Sequence, residues 1–190
     1  MPAKLITAVA TEVLTSAIVK DRLKITVATA ADAEVARLIS QMRDACQQKT
    51  NRGIGSQVWE IGLDEFPDAI PLILPPLISV DYVKYYDEDG VLQTLASNQY
   101  AVDDFSEPGF IVPAVDVTWP ATYDTVNAVR VRLTTGYVTA TLPPALQLWM
   151  LANIGHFEKN RDTLGDKAER TIVDGLLDPF RIHPGLNAGA

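Results

Sequence analysis

Between Gly55 and Tyr137 the chain consists of short, β-branched runs punctuated by turns, and the segments on both sides repeat their apolar residues at helical spacing. That order of helices, β block and helices argues against a βαβ fold, because nothing inside the block is long enough to be a crossover helix. At 190 residues the chain can bury about 70% of its unfolded surface as one domain or as a domain with an insert. The expected architecture is α+β: a helical bundle of about four helices, drawn from the N- and C-terminal segments, with an inserted antiparallel β subdomain. Residues 1–54 form the N-terminal helical part, 55–140 the β subdomain, 141–178 the C-terminal helices of the same helical domain, and 179–190 a flexible tail.

Met1 to Val13 reads as extended, and Thr15 can cap a short helix whose apolar contacts are Ile18, Val19 and Leu23. Thr29 followed by Asp32 resembles a capping box. Val35, Leu38, Ile39, Met42, Ala45 and Cys46 then fall on one helical face up to about Lys49. The opposite face, with Arg37, Ser40, Gln41, Asp44 and Gln48, is either solvated or the contact surface of a neighbouring subunit. Pro143-Pro144 opens a helix to about Lys159 that is apolar nearly all round. Leu146, Trp149, Met150, Ile154 and Phe157 line one side, and Leu148, Leu151, Ala152 and Gly155 the other. Such a helix is buried on two faces, against the rest of the chain or against another copy, and Gly155 permits a close approach. The subunit-interface candidates are therefore Leu148, Trp149, Leu151, Ala152, Gly155, Arg37 and Asp44. A last helix is expected at Leu164 to Leu177.

Within the block, Trp59, Ile61 and Leu63 share one side of a strand spanning Gln57 to Leu63, with Val58 and Glu60 on the other. Further strands are expected at Ile70 to Leu74, Ile78 to Tyr86, Val91 to Leu95, Tyr100 to Val102, Phe110 to Val112 and Ala128 to Thr134. Asp87-Glu88-Asp89-Gly90 is expected to form a hairpin turn. The pattern fits an antiparallel meander or a small sandwich.

The net charge of −8 repels phosphates, which argues against a sequence reader of DNA but not against a protein that DNA slides past. No window approaches the roughly 18 uncharged apolar residues of a membrane span, so no membrane partner is expected. Cys46 is a single cysteine and reads as a small buried side chain. The G-x-x-x-x-G-K-[ST], G-x-S-x-G and H-E-x-x-H patterns are absent. His156 and His183 lack a second ligand at metal spacing. Asp87 to Asp89 resembles the start of a calcium loop, but its twelfth position is Asn98 rather than glutamate. No catalytic, cofactor-binding or metal-ligating residues and no cofactor are assigned. Trp59, Trp119 and Trp149 are expected as core or interface anchors, and Tyr82, Tyr85 and Tyr86 as residues packing on opposite faces of one hairpin.

Several runs, taken in order, resemble the head-tail connector (adaptor) family of tailed double-stranded DNA bacteriophages, in the branch with a β insertion between helices. They are Leu5-Ile6-Thr7, the Asp32 to Arg52 helix, Val58-Trp59-Glu60, Leu63-Asp64, Phe66-Pro67 and Leu74 to Val80. Asp87 to Gly90 with Gln93-Thr94-Leu95, Trp119-Pro120, Ala128-Val129-Arg130-Val131, Gly136-Tyr137 and Pro144 to Arg161 complete the set. The Thr15 to Lys20 run departs from the family, which is richer there in Glu and Ala. The resemblance implies a structural, non-enzymatic virion protein of the neck, assembled in the host cytoplasm. It also implies a homo-oligomeric ring, commonly a dodecamer, under the portal protein, which docks the next neck or tail-completion protein and lets DNA pass without sequence-specific binding. Two other functions fit the residues alone. One is a β-sandwich module binding peptide or glycan through an aromatic patch at Tyr82 or Tyr86. The other is a small metal-dependent hydrolase using Asp103, Asp104, Glu107 or the Asp87 turn.

Overall fold

The computed structural model describes residues 1–24, 30–159 and 173–182. The fold is α+β, with antiparallel sheets, and it divides into two compact units. One comprises Met1–Ala10 and Ser56–Gly136; the other comprises Thr11–Gly55 and the described residues from Tyr137 onward.

In the helical unit, α1 spans Ser16–Leu23 and is capped by Thr15, whose hydroxyl accepts from the Ile18 amide at 3.3 Å. Helix α2 spans Ala30–Thr50. Of its expected capping pair, Asp32 lies in the first turn and pairs with Lys20, while Thr29 is outside the described residues. The predicted stripe is the buried one: Val35, Leu38, Ile39, Met42 and Cys46 are core, with Ala45 packed against them. Asn51, at φ +54, ends the helix in the left-handed conformation, which asparagine tolerates. Helix α3 spans Pro144–Lys159 and contributes Leu146, Trp149, Met150, Leu151 and Ile154 to the same core.

The expected fourth helix lies outside the described residues except at its end. There Val173 and Asp174 are helical and Gly175–Phe180 continues as a 3-10 helix that buries Leu177. The expectation of a flexible tail from residue 179 is corrected for Pro179 to Ile182. The Ile182 amide donates to Thr50 O at 2.9 Å, Asn51 Nδ2 donates to Ile182 O at 2.7 Å, and Arg52 Nε donates to Phe180 O at 2.7 Å. Asn51 and Arg52 look like loop residues in the sequence, and their capture of this segment depends on tertiary approach.

In the β unit, a five-stranded antiparallel sheet has the order β1-β2-β8-β4-β5, and a three-stranded antiparallel sheet the order β3-β7-β6. The strands are β1 Ala3–Thr7, β2 Gln57–Leu63, β3 Ile70–Pro71, β4 Leu77–Tyr86, β5 Leu92–Leu95, β6 Tyr100–Asp103, β7 Phe110–Pro113 and β8 Val129–Thr135. Ile61, Val83, Leu95, Val129, Val131 and Leu133 from the larger sheet share one core with Ile70, Leu72 and Ile111, so the two sheets form a sandwich rather than a sequential meander.

The expected helical assignment of residues 1–54 is corrected at its start. Residues 1–10 belong to the β unit, where Lys4 pairs with Glu60 and Leu5 with Trp59. Strand β1 is mostly exposed; backbone pairing rather than apolar alternation holds it. The β unit closes at Gly136, earlier than the expected 140, because Tyr137 bridges Ile54 in the helical unit. The expected strand Ile70 to Leu74 is cut to Ile70–Pro71, and Leu74, at φ +51, lies outside the extended region.

Candidate interaction surfaces

The interface candidates separate by burial. Trp149 and Leu151, 2% and 8% exposed, are consumed by the chain's own core. The Trp149 indole also donates to Asp174 Oδ1 at 2.8 Å. Gly155 does permit a close approach, but the neighbour is within the chain: a Cβ there would lie 2.9 Å from Leu23 Cδ2. Leu148 remains 47% exposed, and Ala152 is half-buried. Arg37 is exposed and paired with Glu34, and Asp44 is exposed and paired with Arg43 at 2.8 Å. Thus the second apolar side of α3 is closed by α1 at Gly155 and buried at Leu151, and Leu148, Ala152, Arg37 and Asp44 are the candidates that present surface. The burial of Cys46 pushes its thiol pKa up to about 12, which leaves it protonated and unreactive.

The outer face of the five-stranded sheet is built by strand alternation. Val129, Val131 and Leu133 of β8 point into the sandwich, so Arg130 and Arg132 point out. Cross-strand register places Lys4, Glu60, Arg132 and Tyr82 in one row, with Arg130 and Lys84 directly opposite each other in the next. Tyr82 donates its hydroxyl hydrogen bond to Glu60 Oε2, and Arg132 Nη2 donates to the same oxygen at 3.0 Å. Partial burial pushes the Glu60 carboxyl up. The bonds from Tyr82 and Arg132, with the charges of Arg132 and Arg130, outweigh that and hold its pKa below the usual carboxylate range. Burial, then the bond to Glu60, raises Tyr82. Lys84 lies 4.5 Å and Arg132 4.8 Å from the Tyr82 ring centre, and Arg130 lies 5.6 Å from that of Tyr86. Tyr85 faces inward, edge-on to Phe66 at 5.7 Å, so the three tyrosines divide between two faces as expected.

The carboxylates weighed for metal chemistry support turns. Asp87 accepts from Gln93 Nε2 at 2.7 Å and from the Val91 and Asp89 amides at 2.9 and 3.2 Å, which lowers its pKa. Asp103 lies low through bonds from Ser106 and the Phe105 amide; the amides of Phe105 and Ser106 reach Asp103 Oδ1 at 2.9 and 3.2 Å. The loop so braced carries Phe105, 97% exposed. Gly109 is required beneath it, since a Cβ there would meet Asp103 O at 2.2 Å. Among the described residues no three His, Cys, Asp or Glu side chains gather as a metal set, and His183 lies outside them. A recess of about 80 Å³ touching Leu72, Pro75, Asp104 and Glu107 is well below the roughly 300 Å³ at which small-molecule sites begin. Among the described residues no helix is long and apolar enough to cross a membrane.

Sequence reasoning missed both the basic-aromatic sheet face and Phe105. The alternation of Arg130 and Arg132 with valines signals an outward basic strand. Nothing local signals the convergence of Lys4, Glu60 and Tyr82 on it.

No family model and no curated protein matches the sequence. Solved structures do. The chain is similar to a chain in the neck of an empty GTA particle computed with C6 symmetry, at 20% identity and TM-score 0.79. It is similar to a chain in the virion of a native gene transfer agent (GTA) particle, at 21% and 0.75, and to one in the neck of a native GTA particle computed with C12 symmetry, at 20% and 0.71. Each match covers 99% of both chains. The fold is therefore shared, over 99% of both chains, with chains of these GTA neck and virion structures.

Proposed function

We propose that this chain is a structural virion assembly protein: a head-tail connector that forms a ring of identical subunits under the portal, joins head to tail and lets DNA pass. The observation that carries the reading is the match over 99% of both chains to a GTA neck component, at a TM-score of 0.79. The C6 and C12 symmetries with which those necks were computed support a dodecameric ring. The braced, charge-bearing surfaces suit docking, and the net charge of −8 suits a wall past which phosphates slide without being held.

In this reading the protein acts in the virion neck after assembly in the host cytoplasm. Its partners are its own copies, the portal and the next neck or tail-completion protein, and its role is architectural rather than catalytic. Leu148, Ala152, Arg37 and Asp44 are candidate contacts between subunits. The test is particle imaging of the full-length protein, alone and mixed with its cognate portal. Closed rings, with or without the portal, are the expected result; a chain that stays monomeric in both settings overturns the reading.

A further inference from the structure

We propose that the basic-aromatic outer face of the five-stranded sheet receives the Asp103–Gly109 loop of a second copy of this chain. The contact rests on the ring reading above. The face sets Lys84, Arg130 and Arg132 beside Tyr82 and Tyr86, with Lys4 and Glu60 farther along the Lys4–Glu60–Arg132–Tyr82 row and the Asp81 carboxylate held by Thr134 of β8. The protein as a whole has 24 acidic and 16 basic residues, so a face with this excess of cations runs against the overall charge. The loop has the complementary chemistry: its sequence carries Asp103, Asp104 and Glu107 beside Phe105, which is 97% exposed. Bonds from the Phe105 and Ser106 amides to Asp103 hold the loop's shape before any partner arrives, which lowers the ordering cost of binding.

Within the β unit these two surfaces are different places. The face is the side of the larger sheet turned away from the shared core, whereas the loop joins β6 and β7 of the smaller sheet. A contact between different surfaces of identical chains is head-to-tail, and head-to-tail contacts whose rotation closes make rings. Phe105 would lie over the Tyr82 and Tyr86 rings while Asp104 meets Lys84 and Arg130. Nucleic acid is the disfavoured occupant: the net charge repels it, and phosphates held here would oppose DNA passage.

The experiment compares full-length wild type with Phe105→Ala, Asp104→Lys and the double variant Lys84→Glu/Arg130→Glu. Self-association is read by sedimentation at low and high salt and ring formation by imaging with and without the cognate portal; thermal melting confirms that each variant is folded. Each variant is expected to weaken association at least about tenfold at low salt, and combining Asp104→Lys with Lys84→Glu/Arg130→Glu is expected to restore part of it. Rings formed equally well by wild type and the two exposed-loop variants overturn this contact and leave the ring reading standing. A wild type that gives no ring with or without portal overturns both. If the sheet-face variant loses affinity for a short DNA duplex, read by anisotropy, while self-association is unchanged, the face is a nucleic-acid site and the proposal fails.

Discussion

The helical unit turns its distinctive residues inward, whereas the β unit turns its own outward. In the helical unit α3, apolar on two sides, gives Trp149, Met150 and Leu151 to a core shared with α1, α2 and the 3-10 helix at Gly175–Phe180. In the β unit one side of β8 and β4 supplies Val129, Val131, Leu133 and Val83 to the core, and the other side carries Arg130, Arg132, Lys84, Tyr82 and Tyr86. The difference follows from period. A strand exposes every second residue whatever its content, so a two-layer sandwich necessarily has outer faces to use. A helix that is apolar nearly all round spends most of its sides on its neighbours in the chain, and α3 leaves only Leu148 and Phe157 as exposed large apolar residues, at 47% and 37%.

The strongest challenge to that contrast is Trp149→Ala. It removes a large core side chain and the indole bond to Asp174, and should cost about 3–5 kcal/mol in chemical denaturation; a loss under about 1 kcal/mol would mean that the helical core is not where this unit's stability lies. Ile111→Ala, in the sandwich core, should cost about 2–4 kcal/mol. The residues of the two cores do not overlap, so the double variant with Trp149→Ala should be additive within about 0.5 kcal/mol, and a larger coupling would break the division. Gly109→Ala, whose Cβ would drive into Asp103 O, should cost about 1–3 kcal/mol and disturb the Phe105 loop, measurable as a lowered denaturation midpoint and faster proteolysis there.

Glu60→Gln tests the outer face. The pKa of Glu60 is lowered on folding, so its contribution is present above the ordinary carboxylate pKa and is lost as pH falls through the folded value. The variant should be about 1 kcal/mol less stable than wild type near neutral pH, and the two should converge in acid. A difference independent of pH would show that the charge is immaterial. Phe105→Ala should change stability least, by under about 0.5 kcal/mol, because its side chain lies in solvent; a larger loss of stability would mean that Phe105 holds the fold rather than displaying a contact.

Much of the fold was legible in the residues. The α2 stripe, the Thr15 cap, the Asp87–Gly90 turn and the inward set Trp59, Ile61 and Leu63 all follow from periodicity and local hydrogen bonding, which act over a few residues. The surfaces were less legible, for physical reasons that differ by residue. Leu23 and Gly155 meet only because two helices cross, so the second apolar side of α3 is covered within the chain at Gly155 while Leu148 stays 47% exposed. Lys4 and Glu60 are far apart in sequence and become neighbours only through the pairing of β1 with β2.

By itself the amino-acid sequence determined the helix–β–helix order, the period of each element and the excess of acid, because propensity, alternation and charge are properties of neighbouring residues. Tertiary structure alone decided which apolar sides were left uncovered, where residues 1–10 pair, and that four cations gather with two tyrosines on one face of an acidic protein. Those outcomes depend on strand register and helix crossing, which bring together residues that no local pattern connects.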